Sequence, residues 1–164
     1  GDCAVIPNPT AEQLVDIGLA TAKTYRSLTG NEPKVAFLSF STKGSAAGEL
    51  VEKVQKAVGL GRDRFAAEGI KFDGELQFDA AIVPSVGKLK NPDGQIRGDA
   101  NVFIFPDLQA GNIGYKIAQR LGQADAIGPN LQGLAKAMND LSRGCSAEDI
   151  VGTVCVTLLQ SEGL

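Results

Sequence analysis

The alternation of short apolar runs with longer amphipathic segments most constrains the fold of this 164-residue chain. Residues 35–40 and 102–105 are predicted to be buried strands, because each run is apolar and bounded by polar or glycine-containing turns. Shorter runs at residues 3–6 and 70–72 are further strand candidates. Strands that alternate with helices predict an α/β domain, with a mostly parallel sheet and helices on both faces.

Three segments have the apolar periodicity of helices. Residues 11–28 are predicted to be a helix capped by Thr10, with apolar side chains on one face. Two more helices are predicted over residues 50–58 and 113–121, each closed by the glycine that follows. Residues 88–99, with their lysines, glycines and proline, suggest either a mobile lid or a solvated surface connection, and ordinary long loops favour the second.

Composition excludes several classes of function. Sixteen basic and 19 acidic residues give a net charge of −3, and the chain has no tryptophan, so neither nucleic acid nor an anionic membrane surface is an expected partner. The three cysteines contain no CxxC pair, which argues against a disulfide framework and a zinc site and favours a reducing, cytoplasmic compartment. We see no membrane-spanning window and no export leader, and the opening at Gly1 suggests a fragment, a processed product or a tag remnant.

Two loops that follow predicted strands contain candidate ligand-binding residues. After the strand at 35–40, Ser41 and Lys43 lie in a loop whose amides and side chains suit a phosphate group, although a hydroxyl-capped helix start explains the hydroxyls equally well. After the second strand, Asn112, Tyr115 and Lys116 offer donors for a polar ligand. A glycine-assisted turn accounts for the glycines of this loop but not for these three side chains.

The run from residue 136 to residue 149 is the strongest candidate for chemistry. The chain has no histidine, so a carboxylate, lysine, tyrosine or thiol must perform any acid-base step. Asp149 is one such carboxylate, but Ser146 and Asp149 also have the spacing of a capping box before a helix. The sequence leaves both roles for Asp149 open.

Arg143 points to an anionic ligand. A cation just before a helix N-terminus is unfavourable unless an anion lies between them, and Ser142 stands beside it as a further donor. The alternative is that Arg143 only pairs with Asp140 or Glu148. Cys145 is expected to be a labile thiol rather than a nucleophile, because no histidine is present to take its proton.

Five ordered motifs in the second half of the chain lie at residues 98–107, 111–120, 126–129, 131–133 and 139–144. Together they closely resemble the C-terminal half of the phosphate acetyltransferase (phosphotransacetylase) family, and the resemblance extends over essentially the whole chain. It implies reversible acetyl transfer between coenzyme A and inorganic phosphate, giving acetyl phosphate, by direct attack in a ternary complex. It also implies that coenzyme A is a substrate and that no metal or prosthetic group is needed.

The resemblance further implies roles and boundaries. Arg143 matches a phosphate-binding arginine, Ser142 a serine that hydrogen-bonds the reacting group, Asp149 a proposed base for the coenzyme A thiol, and Cys145 a reactive but dispensable thiol. The implied fold is similar to the isocitrate and isopropylmalate dehydrogenases, with the site in a cleft between two domains of a homodimeric enzyme. Residues 1–128 would then be the second domain of that enzyme, and the remaining segment, to residue 164, would pack on a first domain that is absent here.

Because family enzymes are about twice this length, we expect the chain alone to be weakly active or inactive, with an exposed apolar surface near residues 150–159. Two alternatives stay open at this point. One is an acyltransferase with a longer acyl chain such as butyryl, and the other is a non-catalytic domain that senses acetyl-CoA. Retention of Ser142, Arg143 and Asp149 together favours catalysis.

Overall fold

The structure is a computed structural model and describes residues 1–162. Its elements in chain order are α1 (Ala11–Thr29), β1 (Lys34–Leu38), α2 (Glu49–Ala67), β2 (Lys71–Leu76), α3 (Phe78–Ile82), α4 (Pro84–Lys90), β3 (Val102–Ile104), α5 (Leu108–Leu121) and α6 (Ala147–Glu162). The three strands form one parallel sheet in the order β2-β1-β3. The predicted α/β class with a parallel sheet is therefore confirmed.

Helices cover both faces of this sheet, as the sequence predicts. Side chains alternate along β1, so that Val35 and Phe37 join the core under α1 and α2, while Ala36 and Leu38 face the opposite way. The second core includes Ala81 of α3 and other small or branched side chains. Because β1 is buried on both faces, its sequence is a continuous apolar run rather than an alternating one.

The predicted limits of α1 are correct to within a residue. Thr10 Oγ1 accepts a hydrogen bond from the Gln13 amide (3.2 Å), and Gln13 Oε1 accepts one from the Thr10 amide (2.9 Å), which completes a capping box. Gly30 ends the helix with φ +68°. Within α1, Gly18 allows close packing, since a Cβ there would lie 2.8 Å from Cζ of Phe37.

Two predictions about local structure are wrong. The second helix does not end at Gly59 but continues to Ala67, because Phe65 of its last turns is fully buried in the core and outweighs the cost of a glycine. Residues 3–6 are not a strand. The Asp2 carboxylate accepts hydrogen bonds from the backbone amides of residues 4, 5 and 6 (2.7–2.9 Å), and these bonds hold the segment in a turn.

Most residues of the segment 88–99 are exposed, which fits the predicted surface connection, but its centre is buried. Its first residues belong to α4, and its centre is anchored by Asn91, whose Nδ2 donates to Asp73 Oδ2 (2.8 Å) and to the Ile96 carbonyl (2.7 Å). The Ile96 side chain is fully buried in the second core. A buried side chain of this kind fixes the middle of the loop, which its polar composition concealed.

The segment after α5 reaches α6 through an irregular connection. Asn139 organises it, since its Nδ2 donates to Thr157 Oγ1 (2.9 Å) and Gln160 Oε1 (2.7 Å) and its Oδ1 accepts from the Leu131 amide (2.8 Å). The predicted boundary at residue 128 and the packing of the last segment on an absent domain stay predictions. Residues 163–164 lie outside the described part. None of the helices in the described residues is both long and apolar enough to cross a membrane.

Candidate active site

A tight turn leads into α6 and brings the catalytic candidates together. The Cys145 amide donates to the Ser142 carbonyl (3.0 Å), and the Gly144 amide lies 3.4 Å from Ser142 Oγ. Ser146 Oγ then accepts from the Asp149 amide (3.1 Å), while Asp149 Oδ2 accepts from the Ser146 amide (2.8 Å). The predicted capping box is confirmed, and all four candidates of this run lie in the turn or in the first turn of α6.

Arg143 is available to an external anion. Its side chain is exposed, and within the described residues it forms no ion pair, so neither Asp140 nor Glu148 neutralises it. The amino end of α6, with its partial positive charge, begins four residues later. An anion held between them would interact with both the guanidinium and the helix.

The three candidates on α5 have different surroundings. Asn112 Nδ2 donates to the Cys3 carbonyl (3.2 Å), so this side chain holds the first residues of the chain against the helix. Gly111 makes the same approach possible, since a Cβ there would collide with the Asp2 carbonyl. Tyr115 and Lys116 are exposed, with Lys116 Nζ 5.8 Å from the centre of the Tyr115 ring. Their roles as substrate ligands stay predictions.

Ser41 and Lys43 lie in the loop after β1, where their polar atoms bond to β2. Ser41 is fully buried, and its Oγ donates to Glu75 Oε1 (2.9 Å). Lys43 Nζ contacts Asp73 Oδ1 and donates to the Gly74 carbonyl (2.7 Å). These partners explain both side chains without a ligand, so substrate binding by Ser41 and Lys43 also stays a prediction.

A pair of buried carboxylates on β2 was not anticipated from the sequence. Burial alone would raise the pKa of Asp73, but hydrogen bonds from Lys43 and Asn91 outweigh it and hold that pKa below its usual value. Burial likewise opposes ionisation of Glu75, and the Gly44 amide (2.7 Å) is the main group that keeps its pKa low. The sequence did contain a signal for this pair, namely two acidic residues in a strand that is otherwise buried on both faces. Buried charges require partners, so the two carboxylates predict hydrogen-bonding groups around them.

The cleft beside Lys43 has a volume of about 230 Å³ and is electrostatically balanced. Lys43 and Arg62 line it together with Asp73 and Asp93, so that two cations face two carboxylates. Such a balance does not favour an anion over water. By contrast, the turn before α6 combines a guanidinium that has no ion-pair partner in residues 1–162 with a helix N-terminus, and this combination suits an anion better.

Ser41 and Lys43 lie just beyond the carboxyl end of β1, where open α/β sheets bind ligands, whereas Asn112, Tyr115 and Lys116 lie within α5, in its second and third turns. Asp107 follows β3 and caps α5 by accepting from the Ala110 amide (2.9 Å). The hydrogen bonds of the turn before α6 stay within residues 142–150. No group of three or more acidic or cysteine side chains suited to a metal ion occurs in residues 1–162.

The family model for "Phosphate acetyl/butaryl transferase" matches residues 1–158. The chain belongs to this family. A phosphate acetyltransferase of Clostridium acetobutylicum is 56% identical over 161 residues, which are 98% of this chain and 48% of that protein. Another, from Staphylococcus epidermidis, is 56% identical over 98% of this chain and 50% of its own length.

Solved structures of the family have the same fold. A phosphotransacetylase from Staphylococcus aureus superposes with a TM-score of 0.93 at 54% identity, over 98% of this chain and 49% of that one. A branched-chain phosphotransacylase from Enterococcus faecalis, at 23% identity and a TM-score of 0.74, shares the fold alone. The chain spans about half the length of the curated relatives it matches.

Proposed function

We propose that this chain supplies the C-terminal half of a phosphate acetyltransferase, which moves an acetyl group between coenzyme A and inorganic phosphate. The substrates are acetyl-CoA and phosphate in one direction, and coenzyme A and acetyl phosphate in the other. The single observation that carries the proposal is the exposed Arg143 next to the amino end of α6, which has no ion-pair partner within residues 1–162 and suits an inorganic anion. Family membership supplies the reaction class.

The residues of the turn divide the chemistry between them. Attack on a thioester builds negative charge on the carbonyl oxygen, and Arg143 and the Ser142 hydroxyl are donors that would stabilise it. Asp149 would accept the thiol proton when acetyl phosphate is the acyl donor. One carboxylate oxygen accepts from the Ser146 amide, so the cap would also orient the base.

Two surfaces support a further half of the enzyme facing this chain. Helix α6 has its polarity inverted: Thr153 and Gln160 are its buried residues, while Val151, Val154 and Leu158 are more than half exposed. Helix α5 exposes a row of apolar side chains at the spacing of one helix face. Contiguous apolar surfaces of this kind mark interfaces, so the facing half of the active site would cover at least the α6 surface.

The remaining features of the proposal follow from the family. The enzyme would be a cytoplasmic homodimer that uses coenzyme A as a substrate and requires no metal or prosthetic group. A butyryl-specific acyltransferase is the nearest alternative, since the family model covers both activities. An acetyl-CoA sensor without catalysis is the alternative from a different functional class.

A chimeric enzyme tests the proposal. This chain would replace the matching 49% of the Staphylococcus aureus phosphotransacetylase, and thiol release from acetyl-CoA and butyryl-CoA would be measured with and without phosphate. We expect phosphate-dependent release with a preference for acetyl-CoA, and little release from the chain alone. A chimera that melts cooperatively and binds acetyl-CoA but releases no thiol would contradict the proposal and favour the sensor. A preference for butyryl-CoA would contradict the acetyl specificity.

Asp149 needs a test that separates proton transfer from capping. Asp149→Asn keeps a side-chain oxygen for the Ser146 amide but cannot accept a proton, so the chimera should slow by about a hundredfold or more. Ser146→Ala removes only the capping hydroxyl and is the matched control, with an expected change of less than threefold. Equal losses in the two variants would assign Asp149 to capping alone.

A further inference from the structure

The turn that carries Arg143 is hydrogen-bonded to the rest of the described chain only at its two ends. The bonds of the turn itself stay within residues 142–150. Its exit is joined to α6 by the capping box of Ser146 and Asp149. Its entry is held by Asn139, which lies four residues before Arg143. The bonds at these two ends therefore set where the guanidinium lies relative to the amino end of α6.

The side chain of Asn139 uses both of its donor hydrogens and its acceptor oxygen. Its Nδ2 donates to Thr157 Oγ1 (2.9 Å) and Gln160 Oε1 (2.7 Å), and its Oδ1 accepts from the Leu131 amide (2.8 Å). Gln160 Nε2 in turn donates to the Leu131 carbonyl (3.4 Å), which fixes the orientation of the Gln160 amide. A carboxylate in place of Asn139 would present an oxygen to these two oxygen acceptors, so the position requires an amide.

Both acceptors that Asn139 bonds lie on α6, the helix whose amino end completes the anion site. Thr157 follows Asp149 by eight residues, or about 12 Å along the helix axis. Asn139 thus joins the entry of the turn to the middle of α6, while the capping box joins the exit to its first turn. A loop that is held at both ends on one helix keeps its residues at a fixed distance from that helix.

The same hydrogen bonds connect the turn to the body of the domain. Asn139 and Asn130 form an isolated antiparallel bridge. Close to this bridge, Gln132 Nε2 donates to Thr21 Oγ1 of α1 (2.8 Å), and Gln132 Oε1 accepts from Thr24 Oγ1 (3.2 Å). Hydrogen bonds therefore run from α1 through the bridge to Asn139 and on to α6, with Asn139 at their junction.

We propose that Asn139 is a positioning residue for acetyl transfer, because it holds the Arg143 guanidinium where it and the amino end of α6 act on the same anion. The inference rests on the proposed function and adds a residue to it. Both donor hydrogens of Asn139 are bonded to α6, so it acts through Arg143 rather than on a substrate. Displacement of a group at a reacting centre by about 1 Å can lower the rate about a hundredfold.

Asn139→Leu in the chimeric enzyme tests the proposal, since leucine has a similar branched shape but no polar atom. We expect phosphate-dependent thiol release to fall about tenfold or more in a chimera that still melts cooperatively. A double-mutant cycle separates positioning from a general loss of structure. With Arg143→Ala already present, Asn139→Leu should slow release by less than about twofold. An unchanged rate in Asn139→Leu alone, or losses that multiply in full in the double variant, would overturn the proposal.

Thr157→Val and Thr153→Val form a matched pair on α6, because each replaces a hydroxyl group with a methyl group. Thr157 Oγ1 accepts from Asn139, whereas the buried Thr153 Oγ1 has no hydrogen-bond partner within residues 1–162. We expect Thr157→Val to slow thiol release by about threefold to tenfold, and Thr153→Val by less than about twofold. Equal rates in these two variants would also overturn the proposal.

Hydrogen exchange in the chain alone separates failure of this inference from failure of the proposed function. The Cys145 amide, which donates to the Ser142 carbonyl (3.0 Å), should exchange about threefold faster or more in Asn139→Leu than in Thr153→Val. Faster exchange together with an inactive unsubstituted chimera would support Asn139 as the anchor of the turn and contradict the proposed function. Equal exchange in the two variants would overturn the inference and leave the proposed function intact.

Discussion

The buried Asp73 carboxylate is the interaction whose loss the structure allows us to evaluate most closely. Its Oδ1 accepts from Lys43 and the Gly74 amide (2.9 Å), and its Oδ2 accepts from Asn91 Nδ2 (2.8 Å). In Asp73→Asn an amide replaces one oxygen, so a donor would face a donor. An unsatisfied buried donor costs about 1–3 kcal/mol. The Lys43 side chain is 38% exposed, so loss of the ion pair adds only up to about 1 kcal/mol.

We therefore expect Asp73→Asn to reduce the free energy of unfolding by about 2–3 kcal/mol at pH 7, or roughly 5–10 °C in melting temperature. Glu68→Gln is the matched control, because the Glu68–Lys23 pair is exposed and should contribute less than about 0.5 kcal/mol. Circular dichroism during thermal and urea unfolding measures both. Equal stability of the Asp73→Asn and Glu68→Gln variants would refute the reasoning.

The same variant predicts a pH dependence. The folded-state pKa of Asp73 is below its ordinary value of 3.8, so its contribution is fully present above that value and is lost as the pH falls through the folded-state pKa. Asp73→Asn cannot titrate at this position. The difference in stability between the unsubstituted chain and the variant should therefore shrink below pH 3.8, and a difference that grows there would contradict the assigned partners.

Two further predictions concern packing and the connections at the ligand-binding edge of the sheet. Gly18→Ala should cost about 1–3 kcal/mol, because the new Cβ would lie 2.8 and 3.0 Å from two buried phenylalanine rings, whereas Gly59→Ala meets nothing within 4 Å and should stabilise α2 by about 0.5–1 kcal/mol. Urea unfolding compares the two, and the same sign in both would contradict the packing. Lys53→Met removes two hydrogen bonds, each 2.8 Å, that join α2 to the loops before α1 and after β3. It should cost about 1 kcal/mol, and unchanged stability would show that these bonds contribute nothing.

The sequence predicts those parts of the fold whose signals are local. The capping boxes at Thr10 and Ser146 depend on residues three positions apart, and both occur in the structure. The central strand is a continuous apolar run, which requires only that both of its faces be buried. These elements need no knowledge of distant contacts.

The features that the sequence did not predict depend on partners far away in the chain. Gly59 does not end α2 because Phe65 packs on rings from two strands, with its ring centre 4.4 Å from that of Phe72. The loop around Ile96 is anchored through Asn91 to Asp73, which no local pattern indicates. Long-range packing overrides local propensity at these positions.

For the candidate site, sequence reasoning located the turn before α6 correctly as a local structure. It could not assign Ser41, whose hydroxyl is bonded to Glu75, 34 residues away. It also could not anticipate that Asn112 would bond to the Cys3 carbonyl, 109 residues away. A polar residue in a loop suggests a ligand until its protein partner is known. The ligand-binding roles of Ser41 and Asn112 therefore remain predictions, whereas Arg143, which has no ion-pair partner in residues 1–162, supports the proposed phosphate site.

The most direct test of the proposed function is phosphate-dependent thiol release from acetyl-CoA by the chimeric enzyme carrying Arg143→Ala. Removal of a charge-stabilising donor at the reacting centre typically lowers the rate by about a hundredfold to a thousandfold, and we predict a loss of that order. Arg64→Ala, which breaks an exposed ion pair with Asp16 on α1, should change the rate by less than twofold. If turnover and phosphate affinity in Arg143→Ala match those of Arg64→Ala, the turn before α6 is not the phosphate site.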